Sequence, residues 1–413
     1  MGRAMKDSGV EWIGEIPEDW EIIRFKHLNV GMNTGEGIDK EYWSNNENDM
    51  VFYTAGLLPI YTTYQDFPAW KYTCENDLLL ARNGTPYVYL PACNACYTDH
   101  IIRVTLKKDA NRRFVRYGLQ QSISSVVINQ VSIATWSASL WNEQVLPSPP
   151  LSDQQIIADF LDYKCSEIDA VLNKTRASIE EYKHLKQAVI TQAVTKGVRG
   201  DRPMKESGID WIGEIPADWQ TYRVAHWYEE RNEAGCDELP VLMVSIHSGV
   251  SDDVVRDEDR NRKSMQSEDK TKYKRVYPGD LVYNMMRAWQ GAFGAVRVEG
   301  LVSPAYVVAK PKQHLDTRYI EALFRTPAAI EEMRRYSYGV ADFRLRLYWQ
   351  YFKNIRFCLP SLEEQKEIAD FIDVRSAEID TLITKKEQLL TELENYKKSL
   401  IYEYVTGKRE VSR

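Results

Sequence analysis

The chain is poor in the residue types on which many enzymes and secreted proteins depend. It has 6 histidines and 6 cysteines among 413 residues, which argues against a His-based catalytic triad and against a disulfide framework. No run approaches the ~18 apolar residues of a membrane helix. Residues 1–11 are polar and lack the apolar core of a signal peptide. We therefore expect a cytoplasmic protein with reduced thiols and no membrane partner.

Several sequence motifs of catalysis are missing as well. The chain contains no Gly-rich phosphate loop ending in Gly-Lys-Ser/Thr and no G-x-G-x-x-G. It has no Asp/Asn-Pro-Pro-Tyr run of the kind that amino-methyltransferases use, and no paired carboxylates in a recognisable nuclease spacing. We therefore predict a chain that is not an enzyme, with no catalytic residue, no cofactor-binding residue and no metal ligand.

One cysteine motif has the spacing of a metal or redox site. Cys93 and Cys96 form a C-x-x-C, with Cys74 and His100 nearby, and such a motif can bind zinc or exchange disulfides. The fourth zinc ligand would have to be the distant Cys74. A redox motif normally opens a helix after a strand, whereas residues 97–104 look like a strand. Ordinary core or loop cysteines are the favoured interpretation.

The net charge of −7 counts against a simple nucleic-acid binder, because such proteins usually carry a basic excess. Two segments carry a net positive charge, unlike the chain as a whole: residues 103–116 and residues 334–356 each hold six Lys or Arg against a single Asp. A phosphate backbone responds to the patch that faces it rather than to the total charge. Each run taken alone could equally be a solvated face.

An internal repeat is the strongest signal in the sequence. Residues 6–20 read KDSGVEWIGEIPEDW, and residues 205–219 read KESGIDWIGEIPADW, with eleven of fifteen positions identical. A second pair, QQIIADFLDYKCSEID from Gln154 and QKEIADFIDVRSAEID from Gln365, has an offset of 211 residues. A repeat this long is a duplicated domain with its connector rather than a solenoid. Near-identical frames around divergent middles suggest two modules of one design with different specificities.

Two long helices are predicted, over residues 151–196 and 361–406. Both stretches lack Pro and Gly and are rich in Glu, Lys, Leu and Ala. Ser152 with Gln155, and Ser361 with Glu364, fit capping boxes. Apolar residues recur at steps of three and four, which predicts antiparallel coiled-coil pairing rather than ordinary core helices. The stripe contains Ile168, Leu172, Thr175, Ile179, Tyr182 and Val189, then Ile379, Ile383, Leu390, Leu393 and Leu400, interrupted by Lys386 and Lys397.

The divergent middles mix short strands and helices. Residues 77–81, 101–106, 276–283 and 305–309 are predicted strands, and residues 114–121 and 319–325 are predicted helices. The predicted fold is α+β: two α/β domains separated by two long antiparallel coiled-coil helices, with an internal pseudo-two-fold repeat. The predicted boundaries are 1–150 for the first domain, 151–197 for the first spacer helix, 198–360 for the second domain and 361–413 for the second helix.

Several of these segments resemble the specificity subunits of type I restriction-modification systems. The resemblance covers nearly the whole chain, and motif identity, order and duplication agree. Its carriers are WIGEIPxDW in both copies, Leu146–Gln154, Leu359–Gln365, the repeated IADFxD helices, Asn76–Thr85, Gly279–Asn284, Arg287–Gly291 and Ser303–Ala305.

The resemblance implies a division of labour. Each variable domain would read one half of a split target in double-stranded DNA, and the helices would bind two modification (methyltransferase) subunits and set the spacing between half-sites. Restriction (translocase/nuclease) subunits would join that core. The resemblance places S-adenosylmethionine, ATP and Mg on those partners, with no cofactor in this chain.

The candidate DNA-contacting residues share a suitable side-chain chemistry and a position on loops or at element ends. Reading the major groove needs Arg, Lys, Asn or Gln on loops or element ends, where they can pair with base edges. Aromatic residues interleaved with basic ones suit sugar or base contacts, although Trp289 and Tyr338 could instead be core or hinge aromatics. Trp12, Trp20, Trp211 and Trp219 belong to the repeated frame and are expected to pack between module and helices. The DNA-binding candidates are Arg82, Asn83, Thr85, Tyr87, Thr135, Arg287, Trp289, Gln290, Tyr338, Arg344 and Arg346.

Two other functions stay open at this point. The chain could be a coiled-coil interaction protein whose modules bind other proteins, which the acidic total favours and the two basic runs oppose. It could also be a self-sufficient methyltransferase or nuclease with unfamiliar motifs. The absence of catalytic motifs makes the second the weaker alternative.

Overall fold

The computed structural model describes residues 3–124, 135–236, 239–246, 249, 250, 272–339 and 345–411. The chain forms two compact units. Unit 1 contains Met1–Arg176 and Gln388–Arg413, and unit 2 contains Ala177–Glu387. Within the described ranges, no helix is long and apolar enough to cross a membrane.

Unit 1 is built mainly on antiparallel strand pairings. The strands are β1 Met5–Asp7, β2 Glu15–Pro17, β3 Glu21–Arg24, β4 Asn29–Thr34, β5 Trp43–Ser44, β6 Met50–Tyr53, β7 Ile60–Thr62, β8 Asp77–Ala81, β9 Val88–Tyr89, β10 Cys96–Tyr97, β11 Ile101–Leu106 and β12 Val145–Ser148; the short helices are α1 Arg112–Ser124 and α2 Ala138–Asn142. Strands β1 and β2 form the entry hairpin, β3 pairs with β12, and two four-stranded sheets have the orders β4-β11-β8-β9 and β10-β6-β7-β5. The β10–β6 pair is parallel.

The strands predicted at residues 77–81 and 101–106 are confirmed as β8 and β11. All five residues of β8 are buried, because the strand lies between β9 and β11 and both of its faces are covered: Leu78 and Leu80 pack in one cluster, Leu79 and Ala81 in another. In the antiparallel register Ile101 faces Ala81 and Thr105 faces Asp77. The end of β8 therefore lies beside the start of β11, which determines what surrounds the loop that follows β8.

Unit 2 repeats this order of elements. Its entry hairpin, the pairing that follows it and its four-stranded sheet β16-β23-β20-β21 match those of unit 1, and two further strand pairs are β17-β18 and β19-β22. The elements are β13 Met204–Glu206, β14 Glu214–Pro216, β15 Gln220–Arg223, α4 Val224–Trp227, β16 Tyr228–Arg231, β17 Val244–Ser245, β18 Gly249–Val250, β19 Lys274–Val276, β20 Leu281–Asn284, β21 Phe293–Ala295, β22 Gly300–Val302, β23 Tyr306–Pro311, α5 Thr317–Phe324, α6 Pro327–Arg335, α7 Trp349–Phe352 and β24 Arg356–Leu359.

One strand prediction was wrong in its extent. Residues 276–283 do not form a single strand: β19 ends at Val276, and β20 begins at Leu281 in a different sheet. The break comes from a turn at Pro278-Gly279, because Gly279 has φ 96° and Asp280 N–H donates to the Tyr277 carbonyl at 3.0 Å. Proline also cannot donate to a ladder.

The two long helices are present as α3 (Leu151–Lys196) and α8 (Leu362–Val405). Ser361 caps α8, since its Oγ accepts a hydrogen bond from Glu364 N–H at 3.2 Å. The cap predicted at Ser152 was wrong, because α3 already begins at Leu151 after Pro150. The helices end before Gly197 (φ 76°) and Gly407 (φ 72°).

Each unit contains parts of both helices, and these parts pair antiparallel. In unit 1, Lys397 Nζ on α8 lies 2.6 Å from Asp169 Oδ1 on α3. In unit 2, Lys186 Nζ on α3 lies 2.7 Å from Asp380 Oδ2 on α8. The 211-residue offset of the repeat relates Asp169 to Asp380 and Lys186 to Lys397. The repeat thus places the same Asp–Lys ion pair in both units. The aspartate lies on α3 and the lysine on α8 in unit 1, and the reverse holds in unit 2.

The predicted apolar stripe faces the partner helix. Ile168, Leu172 and Leu400 are buried together in unit 1, as the heptad-like spacing requires. The two lysines that interrupt the stripe are accommodated in different ways. Lys397 forms the ion pair with Asp169, whereas Lys386 places its ammonium 5.6 Å from the ring centre of Tyr182.

A buried indole joins the repeated motif at residues 6–20 and 205–219 (the entry motif) to the helix pair in each unit. Trp20 packs in unit 1 with Ile157 of α3 and Tyr404 of α8. Trp219 packs in unit 2 with Val194 of α3 and Ile368 of α8. Both indoles are 1% exposed, and Trp12 and Trp211 pack at the edges of the same clusters. The expectation that the repeated tryptophans pack between module and helices is confirmed.

The carboxylate side chains at equivalent positions near the two indoles differ in length by one methylene group. Trp219 Nε1 donates to Glu364 Oε2 at 3.1 Å, and Arg202 also binds the Glu364 carboxylate. The repeat places Asp153 at the position of Glu364. Trp20 Nε1 is buried and has no hydrogen-bond partner among the described residues. The shorter aspartate thus leaves the unit 1 indole without the acceptor that its counterpart has.

Exchanging these carboxylates tests the junction. Asp153→Glu supplies the missing methylene, so we expect the free energy of unfolding of unit 1 to rise by about 0.5–1.5 kcal/mol. Glu364→Asp withdraws the acceptor from Trp219 and should cost about 1–3 kcal/mol. Thermal melting followed by tryptophan fluorescence measures both changes. Glu363→Asp, on the exposed side of the same helical turn, is the control and should leave the melting temperature unchanged.

Candidate nucleic-acid interface

In unit 1 the candidate loop follows the buried strand β8 directly. Arg82 and Thr85 are exposed, and Asn83 and Tyr87 are half-buried. Ala81 N–H donates to the Tyr87 carbonyl at 2.9 Å, which closes the loop between β8 and β9. The buried strand β8 therefore leads into a short loop that carries the Arg82 guanidinium, the Asn83 amide and the Thr85 hydroxyl. These groups can form hydrogen bonds with base edges and phosphates.

A distant segment of the chain is bound to the same loop. Trp136 N–H donates to the Arg82 carbonyl at 2.6 Å, and Thr135 forms an isolated bridge with Asn83. Trp136 is buried against Trp141, whose Nε1 donates to the Ala81 carbonyl. Exposed Thr135 therefore lies beside the loop at residues 82–87. All five candidates of the first module are brought together.

The structure adds two polar side chains that the sequence analysis did not assign to this interface. His100 Nδ1 lies 2.7 Å from Asn83 Nδ2, and Arg82 N–H donates to the His100 carbonyl. A hydrogen bond from the Thr98 hydroxyl holds the pKa of Asp99 below its usual value, and the charges of His100 and Arg82 act in the same direction. Antiparallel pairing of the two predicted strands was the available signal, because it brings residues 99 and 100 beside Arg82.

Unit 2 has its candidate loop at the equivalent place, between β20 and β21. Arg287 and Gln290 are exposed. Trp289 is half-buried and its Nε1 donates to the Met286 carbonyl at 3.0 Å, so its polar atom is already bonded within the loop. Gly291 closes the turn with φ 88°, and a Cβ there would lie 2.9 Å from Ile330.

The second candidate segment of unit 2 meets this loop as its counterpart does in unit 1. Leu347 N–H donates to the Met285 carbonyl at 2.8 Å. Exposed Arg346 and Tyr338 form two backbone hydrogen bonds: the N–H of each donates to the carbonyl of the other at 3.0 Å. Tyr338 stacks on Tyr351 with ring centres 4.1 Å apart. Arg344 lies outside the described residues.

The first basic run is largely engaged in internal contacts. Arg103, with 13% of its side chain exposed, lies 3.8 Å from Asp77 and donates to the Tyr72 carbonyl. Arg113 forms ion pairs with Asp159 and Asp162 of α3 at 2.6 and 2.8 Å. Arg113 thus fixes α1 on α3, Arg103 is bound within the sheet domain, and neither charge is available to a phosphate backbone.

The C-x-x-C loop is organised by a threonine. Buried Thr73 donates through Oγ1 to the Ala92 carbonyl at 2.6 Å and accepts from Ala95 N–H at 2.9 Å. Cys96 packs with Phe52 and Phe67, and burial raises its pKa to about 12. Among the described residues, no group of three or more His, Cys, Asp or Glu could hold a metal ion.

Thiol alkylation checks this arrangement. At pH 8 and in the native state, iodoacetamide should label the exposed Cys74 and Cys93 and leave Cys96 unmodified, because only a thiolate reacts. Urea should expose Cys96 to the reagent, and mass spectrometry of tryptic peptides gives the extent at each site. Zinc-dependent protection of Cys74 and Cys93 would contradict the interpretation as ordinary cysteines.

The chain thus contains two sheet units of one design, and in each a polar loop follows a buried interior strand of the sheet. Residues 248–394 match the family model of the type I restriction modification DNA specificity domain. The MjaVIII type I restriction enzyme specificity subunit of Methanocaldococcus jannaschii is 24% identical, over 96% of this chain and 94% of that protein. The EcoBI specificity subunit of Escherichia coli is 23% identical, over 82% of this chain and 74% of that protein.

The fold has a solved counterpart. A chain from a structural study of complex assembly and conformational transition of the type I R-M system is 12% identical, with a TM-score of 0.66 over 95% of this chain and 99% of that chain. The present chain is thus similar to type I restriction-modification specificity subunits over most of its length, which confirms the resemblance found in the repeated motifs.

Proposed function

We propose that this chain is the DNA sequence-specificity subunit of a type I restriction-modification enzyme and reads a bipartite target. Unit 1 reads one half-site and unit 2 the other, so residues 1–150 and 198–360 are the target-recognition domains. Residues 151–197 and 361–413 form the spacer helices. The chain is non-catalytic and acts in the cytoplasm, where partner subunits supply S-adenosylmethionine, ATP and Mg.

One observation carries this proposal. In both units, a loop after the central buried strand is bonded to a segment from just before a short helix: Arg82 to Trp136 in unit 1, and Met285 to Leu347 in unit 2. The frame is repeated, but the exposed side chains on it are not. A pair of equivalent frames with different polar groups is what two readers of different base sequences require.

The polar groups differ in kind between the units. Unit 1 presents Arg82, Asn83 and Thr135, whereas unit 2 presents Arg287, Gln290 and Arg346. Arg pairs bidentately with guanine O6 and N7, and Asn or Gln pairs bidentately with adenine N6 and N7. We therefore expect each half-site to contain guanine or adenine positions that depend on these side chains.

The outer faces of the long helices support the binding of modification subunits. Tyr163, Val171 and Leu185 on α3 are exposed apolar residues, and the 211-residue offset relates them to three exposed apolar residues on α8. The α8 residues recur every seven or eight positions, which gives a second apolar stripe that faces solvent. Partner helices are the natural cover for such a stripe. The α8 stripe consists of Val374, Leu382, Leu389 and Tyr396.

The proposal is tested by mapping methylated adenines across a genome by single-molecule sequencing, with the chain co-expressed with its modification subunit. A split motif of two short specific halves and a fixed gap is the expected result. A continuous motif would contradict the two-reader arrangement. Methylation by the chain alone would contradict its non-catalytic role.

Alanine variants assign the halves. Arg82→Ala should relax the motif at a position of one half, and Arg287→Ala at a position of the other half, each with about 1–3 kcal/mol of lost discrimination. Lys108→Ala, an exposed charge outside both loops, is the control and should leave the motif unchanged. Relaxation of the same half by both arginine variants would contradict the assignment of one half-site to each unit.

The stripe gives a separate prediction for assembly. Leu389→Glu with Tyr396→Glu places charges on the proposed helix-docking surface, so the amount of modification subunit that co-purifies with the chain should fall at least tenfold, because a desolvated charge opposes burial. Glu392→Gln, an exposed change on the same helix, should co-purify normally. Undiminished assembly of the double variant would show that the partner binds elsewhere.

A further inference from the structure

A pair of leucines at the tip of the β6–β7 hairpin is unusually exposed. Leu57 is 69% and Leu58 is 79% exposed, the two highest values for large apolar side chains in the described part of the chain. The turn from Thr54 to Pro59 contains no charged residue. A single exposed leucine is ordinary, but two adjacent leucines at a projecting turn forgo the free energy that each gains on burial. Such a pair indicates a surface that becomes covered.

Specific contacts join this tip to the candidate loop of unit 1. Tyr89 Oη donates to the Gly56 carbonyl at 2.8 Å, next to Leu57. The rings of Tyr89 and Tyr87 lie 4.8 Å apart, and Tyr53 at the base of the hairpin lies 5.7 Å from Tyr89. Tyr87 is the last residue of the loop at residues 82–87. The tip is therefore held next to the loop that presents Arg82 and Asn83.

The two elements offer complementary chemistry to one ligand. The loop presents polar groups that pair with base edges and phosphates, and the tip presents branched carbon surface without charge. DNA has apolar surface to match: the thymine methyl group, the sugars and the faces of bases at an opened step. Leucine is among the side chains that DNA-binding proteins insert as apolar wedges in the minor groove.

We propose that Leu57 and Leu58 form an apolar contact with the same duplex whose bases face the loop at residues 82–87. This proposal rests on the proposed function and adds an apolar, specificity-determining element to unit 1. The leucines bury carbon surface against the groove at or beside the half-site of unit 1. A protein partner that covers the tip is the competing possibility, and the experiment distinguishes the two.

The test compares the wild-type chain with a double variant that carries both Leu57→Ser and Leu58→Ser. Each chain is assembled with its modification subunits. Binding is measured on a duplex with the mapped target and on a duplex with the unit 1 half-site scrambled, at several salt concentrations. We expect about 10- to 100-fold weaker binding to the target, from two lost leucine contacts. The salt slope should be unchanged, because no phosphate contact is lost. The variant and wild type should bind the scrambled duplex equally.

Val30→Ser is the matched control. Val30 is 67% exposed and lies on β4, at the opposite edge of the sheet from β9, so its removal should leave binding unchanged. An unchanged melting temperature confirms that the serine variants fold.

Three results would overturn the proposal. Wild-type affinity of the double variant for the target would show that the tip does not contact DNA. Loss of assembly with modification subunits would show that the tip contacts protein. A fall in affinity that is equal on target and scrambled duplexes would remove its link to the half-site. Failure of the proposed function is distinguishable, because the wild-type assembly would then show no preference for a split target.

Discussion

The burial of the repeated indole, Trp20 in unit 1 and Trp219 in unit 2, is the constraint on which the rest of the structure depends. Trp20 and Trp219 lie where the entry motif, the start of one long helix and the end of the other converge. Each long helix buries its apolar stripe against the other helix, and the indole packs each sheet domain on that pair. Because aromatic side chains bury large areas and pack in defined orientations, this junction positions each divergent domain on a support that is repeated in the two units.

The second constraint is the pairing of the central buried strand with its neighbours. Asp77–Ala81 and Leu281–Asn284 are covered on both sides within their sheets, so their main-chain path tolerates little change. The loops that follow them leave Arg82 and Thr85 in unit 1, and Arg287 and Gln290 in unit 2, exposed to solvent. This division allows Arg82 and Asn83 in one unit and Arg287 and Gln290 in the other to occupy equivalent frames. Loops on rigid scaffolds are where binding residues vary most freely.

Much of the fold could be predicted because its signals are local or periodic. The two long helices follow from composition and spacing, and the 211-residue offset foretells that the ion pairs Asp169–Lys397 and Lys186–Asp380 occupy equivalent positions. The error at residues 276–283 arose because apolar residues flank the Pro278-Gly279 turn on both sides, and that turn directs the chain into another sheet. The contribution of Asp99 and His100 was missed because it depends on strand register, which no residue spacing reveals.

The sequence by itself determined the duplication, the helix pair and the separation of frame from variable loops, because repeats and heptads are properties of the order of residues. Tertiary structure alone decided which charges remain free and which segments meet. Arg103 and Arg113 belong to a basic run, yet both are bound to internal carboxylates. Thr135 lies 52 positions after Asn83 in the chain and is paired with it by a backbone bridge. Such contacts arise from long-range packing, which no local pattern encodes.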